Sequence, residues 1–163
     1  MQVMVFIGSE SDSEVVADAR EILREFGVDH AVEVTSAHRS PERTVRLVRQ
    51  AEADGAEVFI AVAGKAAHLA GVVAAHTAHP VIGVPVESGG LGGLDALLST
   101  VQMPKGVPVA AMGLGKTGAS NAAYLAVQIL GLKDKNLRAK FLEHKKKMAD
   151  KVEKSSPKVK PGS

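Results

Sequence analysis

Short apolar runs alternate along this chain with longer segments whose apolar residues recur at helical spacing. Val3 to Ile7 is apolar throughout and closed by Gly8, the pattern of a buried strand. Val15, Val16, Ala19, Ile22, Leu23 and Phe26 then repeat at helical spacing, with Ser13 as the expected cap and Gly27 as the stop. A second strand is expected over Ala31 to Thr35, and a helix over Pro41 to Ala53. Glu57 to Ala63 predicts a third strand, followed by a small-residue helix from near Ala66 to just before Pro80. Val81 to Val86 predicts a fourth strand, Asp95 to Val101 a short helix, Val107 to Met112 a fifth strand, and Ala119 to Leu130 an Ala-rich helix.

Strands alternating with helices imply an α/β fold, a parallel sheet covered on both faces. Right-handed crossovers then gather every strand-to-helix turn on one edge, where such folds bind ligands. Residues 1–132 are expected to form this domain, and 133–154 a charged C-terminal helix packing on a neighbouring subunit through Leu137, Phe141 and Leu142. The segment 155–163, with two prolines and no core residues, is expected to be disordered. Ala119 to Ile129 is apolar on too many faces for a surface helix, and is read as a subunit contact.

Aromatics are only 3%, so the core must be aliphatic and base stacking has little to work with. The net charge of +2 also gives no reason to expect nucleic acid. There are no cysteines, which removes disulfides and thiolate catalysis and fits a reducing cytoplasm. The first residues run straight into a strand pattern without the charged region of a signal peptide. No apolar run reaches the ~18 residues of a membrane span. The expectation is a cytoplasmic protein that does not act at a membrane.

The chemistry concentrates in the turns. After the second strand come Ser36, His38 and Arg39, with Pro41 opening a helix. An imidazole titrates near neutral pH, and a guanidinium is a planar fork for phosphate or carboxylate. Together they point to acid/base chemistry on an anionic small molecule. The first turn offers Ser9, Ser11 and Asp12, hydroxyls and amides that suit an anion and a carboxylate that suits ribose hydroxyls. In the third turn, small residues let a ligand approach the backbone, and Gly64, Lys65, His68 and Leu69 are the candidate lining residues, His68 being placed one turn into the helix. His76 and His79 fall toward the far edge. No histidine has metal-ligand spacing, so no metal is expected. Gly115 to Gly118 lacks the spacing of a Walker loop and is read as a plain turn. The Ser88 to Asp95 and Gln102 to Gly106 segments are Gly-rich enough to act as lids.

In this order the pieces resemble the class I N5-carboxyaminoimidazole ribonucleotide mutase family of purine biosynthesis. The matching segments are Gly8-Ser-Glu-Ser-Asp12, Ser36-Ala-His-Arg39, Ala66-Ala-His-Leu69, Pro80-Val-Ile-Gly-Val-Pro85, Val101-Gln-Met-Pro-Lys-Gly-Val-Pro108 and Gly118-Ala-Ser-Asn121. The resemblance implies a flavodoxin-like three-layer fold, a homo-octamer, and no cofactor. It implies interconversion of N5-carboxyaminoimidazole ribonucleotide and 4-carboxy-5-aminoimidazole ribonucleotide. Ser9, Asp12 and Arg39 would hold the ribonucleotide, His38 would be the general acid/base, and Ser36 and His68 would line the pocket of the migrating carboxyl group. A transient contact with the synthetase that makes the substrate is a further expectation.

The chain departs from the family where Lys65 and Val62 replace glycines, Ala70 replaces a proline and Ala96 a serine. Lys65 can hold a carboxylate, attract bicarbonate, or turn outward. The competing readings are an aminoimidazole ribonucleotide carboxylase that takes CO2 directly, a carboxylase of nickel-pincer cofactor synthesis, and a non-catalytic nucleotide-binding module. Arg39 and the Ala-Ala-His-Leu segment favour the mutase over the direct carboxylase. The nickel-pincer enzyme carries an extra N-terminal region, whereas this sequence starts directly at its first strand.

Overall fold

The computed structural model describes residues 1–155; the expected tail lies, apart from Ser155, outside the described residues. Five strands form one all-parallel sheet in the order β2-β1-β3-β4-β5. They are β1 (Val3–Ile7), β2 (His30–Val34), β3 (Val58–Gly64), β4 (Val81–Val86) and β5 (Ala110–Ala111). The helices are α1 (Ala17–Phe26), α2 (Pro41–Ala53), α3 (Leu69–Ala74), α4 (Leu94–Val101), α5 (Gly115–Leu130) and α6 (Lys135–Ser155). This is the expected flavodoxin-like, three-layer arrangement. Alternate strand residues face opposite sides. Val3, Val5 and Ile7 of β1 join a core with α1, α5 and Leu137 of α6, while Met4 and Phe6 join Val48 of α2 and Leu69 and Val73 of α3. Among the described residues no helix is long and apolar enough to cross a membrane.

Several boundaries differ from the sequence pattern, each for a local reason. Ser13 does not cap α1. Glu10–Ser13 forms a 3-10 turn closed by Asp12 N–H to the Ser9 carbonyl (3.0 Å), and α1 begins only at Ala17. The third helix is short, and His68 stands at its cap rather than one turn inside. Lys65 takes φ 56, and tight bonds from Ala67 N–H to the Lys65 carbonyl (2.9 Å) and His68 N–H to the Ala66 carbonyl (2.8 Å) hold the chain out of helix there. β5 is only two residues long and starts two positions after Pro108, which has no N–H to give a ladder. Gly115 to Gly118 is not a turn but the start of α5, where Gly118 abuts the Gly113 carbonyl so closely that a Cβ would collide with it.

The C-terminal helix packs on its own chain through part of its apolar face. Leu137 is buried in its own chain's core, and Phe141 packs on Phe26 at 6.0 Å and Tyr124 at 6.1 Å between ring centroids. Leu142 is the one of the three left exposed. Asp134 caps α6, its Oδ1 accepting from the amides of Asn136 (2.9 Å) and Leu137 (3.0 Å). The apolar face of α5 is spent in the same way: Ala119, Ala122, Ala123, Ala126 and Val127 are all buried within the chain.

Candidate active site

The turns after β1, β2, β3 and β4 open on the same edge of the sheet. The strand order reverses between β1 and β3, so the loops diverge there and leave a crevice. A cleft of about 550 Å³ occupies that position. All ten residues singled out in the sequence line it: Ser9, Ser11, Asp12, Ser36, His38, Arg39, Gly64, Lys65, His68 and Leu69. His76 and His79 are exposed elsewhere. Of the two lid segments, Ser88 reaches the cleft, whereas Met103 lies against Gly71 of α3.

At its centre two imidazoles meet. His38 Nε2 and His68 Nδ1 are 2.8 Å apart, with the rings nearly perpendicular at 81°. One ring must donate the proton and the other offer a lone pair. A proton delivered to either ring is therefore shared with a neighbour on a different loop.

Arg39 is positioned by the first two turns together. Its guanidinium donates to the Gly8 carbonyl (3.3 Å) and to Ser36 Oγ (3.4 Å), and its amide also donates to Ser36 Oγ (3.2 Å). Ser36 Oγ is occupied as an acceptor, which leaves its own proton for a ligand. Ser11 donates to Ser9 Oγ at 3.0 Å. Asp12 is partly buried, and that burial raises its carboxyl above the ordinary value, partly offset by a backbone hydrogen bond at Ser9.

Two further lining residues with hydroxyls, Thr35 and Ser88, are not among the sequence candidates. Thr35 is buried and bonds Thr44 Oγ1 at 2.8 Å, tying the end of β2 to α2. Ser88 packs on Gly64, where a Cβ would collide with Ser88 Oγ and approach the Val86 carbonyl to 3.0 Å. Glycine is needed at 64 because two loops pass so closely. Lys65 is the one non-glycine with positive φ among the described residues. Such a backbone costs about 1 kcal/mol that glycine would not. Lys65 is an exposed residue of the cleft lining, with Cε 3.9 Å from where a Cβ on Gly89 would sit.

A family model described as AIR carboxylase matches residues 2–151. The chain belongs to the AIR carboxylase family. Within it, the chain is 52% identical over 158 residues to the N5-carboxyaminoimidazole ribonucleotide mutase of Methanocaldococcus jannaschii, covering 97% of each chain. It is 47% identical over 151 residues to the enzyme of that name from Escherichia coli K12, covering 93% of this chain and 89% of that one. The crystal structure of Treponema denticola PurE superposes with a TM-score of 0.89 at 28% identity, covering 98% of this chain and 99% of that one. The cleft thus belongs to an AIR carboxylase family fold along nearly its whole length.

Proposed function

We propose that this chain interconverts N5-carboxyaminoimidazole ribonucleotide and 4-carboxy-5-aminoimidazole ribonucleotide, as an isomerase of purine biosynthesis. The observation that carries the reading is the His38–His68 contact inside a cleft lined by serine hydroxyls, a guanidinium and a carboxylate, groups that suit a phosphate and ribose. Mutase relatives about half identical over nearly the full length support the choice of substrate. In the forward direction the carbamate C–N bond breaks, CO2 is released into the cleft, and the exocyclic nitrogen gains a proton. The ring carbon then attacks CO2 and gives up its own proton. His38 supplies the first proton and takes back the second, so the imidazole is restored at the end of each turnover. His68 holds His38 in the tautomer for each transfer, and the small residues Ala37, Ala63 and Ala66 keep the CO2 close.

Ser9, Ser11 and Arg39 receive the phosphate and Asp12 the ribose hydroxyls, with Ser36, Gly64 and Leu69 around the base and its carboxyl group. The chain works in the cytoplasm as a homo-octamer. Assembly is supported by an exposed apolar strip, Leu94, Leu98 and Val101 on one face of α4 with Leu91 and Leu114 beside it. The test is formation of the ring-carboxylated product, read by ultraviolet absorbance, from two starting mixtures. Fast turnover of the N-carboxylated nucleotide, with little from aminoimidazole ribonucleotide plus bicarbonate, supports the mutase. Efficient turnover of the second mixture at modest bicarbonate overturns it in favour of a direct carboxylase.

A further inference from the structure

The cleft holds two cations, Arg39 and Lys65, and among the described residues neither forms a salt bridge. Their settings differ. Arg39 is tied to Gly8 and Ser36, beside the Ser9 turn. Lys65 sits on the opposite loop, three residues before His68, with its side chain running along the rim toward Gly89. Its backbone is left-handed, a conformation that glycine adopts freely and lysine does not. A lysine kept under strain, unpaired, at a ligand cleft is placed for its charge.

We propose that Lys65 is a specificity-determining residue that reads the carboxylate of the nucleotide, distinguishing carboxylated from decarboxylated forms. The inference rests on the nucleotide reading above. A carboxylated ribonucleotide carries two separate anionic groups, and the cleft offers one cation to each. With the phosphate at the Ser9 turn and Arg39, the carboxyl group lies toward the histidine pair, on the Lys65 side. The ammonium holds both the carbamate of the substrate and the ring carboxylate of the product by charge-assisted contact. It contributes nothing to the decarboxylated nucleotide.

The test is calorimetric titration of the full chain with 4-carboxy-5-aminoimidazole ribonucleotide and, separately, with aminoimidazole ribonucleotide. Lys65→Gly should bind the carboxylated nucleotide on the order of ten-fold more weakly, with the decarboxylated one unchanged. Lys65→Gln should behave likewise, and Lys65→Arg should recover most of the discrimination. The glycine variant should melt no lower than the parent, since it relieves the left-handed backbone. Unchanged affinity for the carboxylated nucleotide in both uncharged variants, or equal weakening for both nucleotides, would overturn the assignment while leaving the enzyme reading intact. A parent protein that binds neither nucleotide overturns both.

Discussion

His38 and His68 come from turns 30 residues apart in sequence and share one hydrogen bond of 2.8 Å. The bond makes the two rings one proton-handling unit, so their substitutions should not add. His38→Asn is expected to lower kcat by about 10³-fold, in the range of a lost general acid/base. His68→Asn should lower kcat by roughly 10- to 100-fold, and the double variant should be little worse than His38→Asn alone. Steady-state kinetics of the three variants checks this; additive losses would mean the rings act independently.

Gly64→Ala should disturb fold and cleft together. The added Cβ collides with Ser88 and crowds the Val86 carbonyl, an overpacking cost of about 1–3 kcal/mol. Thermal melts should show a fall in Tm of several degrees, with partial recovery in the Gly64→Ala, Ser88→Gly double variant. The recovery is only partial because the carbonyl contact remains.

Asp12 ties stability and binding to pH in opposite directions. Its carboxyl is raised by burial, so the folded state takes up its proton at higher pH than the unfolded chain does. Burying the carboxylate therefore costs stability above the raised value, and that cost disappears as pH falls to the ordinary carboxylate value. Asp12→Asn should melt higher than the parent at neutral pH, with the advantage vanishing in acid. Nucleotide affinity should run the other way. A protonated Asp12 accepts poorly from ribose hydroxyls, so the parent should lose affinity as pH falls through the raised value. Asp12→Asn should bind weakly throughout and lack that dependence. Melting and titration across the acid range check both signs.

Leu137 and Leu142 separate two roles of α6. Leu137 is 5% exposed and Leu142 60%. Leu137→Ala should cost about 2–4 kcal/mol of stability by opening a cavity beside α5. Leu142→Ala should stay within about 0.5 kcal/mol in a denaturant melt. If Leu142 nevertheless packs on another copy, light scattering of that variant will show weakened association.

The strands that were easiest to read are those buried on both faces. Val3–Ile7 is a continuous apolar run closed by Gly8, and Val81–Val86 is buried throughout despite Gly83 and Pro85 within it, so the pattern of a covered strand is plain in both. The edge strand was not legible at its true length, because Val107 and Val109 look strand-like while Pro108 between them denies a ladder bond. The shortness of α3 was hidden for a different reason: the left-handed turn at Lys65 is made by a residue whose type does not announce it. The apolar faces of α5 and α6 are visible in the sequence, but which surface covers them is a tertiary fact: Leu137 and Phe141 pack within the chain, and Leu142 is left exposed.

The cleft was legible as a set of residues and not as a geometry. Parallel topology with right-handed crossovers sends Ser9, Ser36, His38 and His68 to one edge whatever the details. The direct contact of the histidines depends on His68 standing at the cap of α3, which follows from the strained turn before it. In the sequence Ser88 is only the first residue of a Gly-rich turn and carries no site signal of its own. Its place in the cleft is set by the missing side chain of Gly64, a signal that needs a structure.

The most direct measurement follows the carboxyl carbon itself. N5-carboxyaminoimidazole ribonucleotide labelled with carbon-13 in its carboxyl group is converted in a large excess of unlabelled bicarbonate, and the ring-carboxylated product is analysed by mass spectrometry. Transfer within a closed cleft predicts that most of the product carries the label. Product that carries only unlabelled carbon from the solution would contradict the mutase account, because the carboxyl group would then have left the protein before the new bond formed.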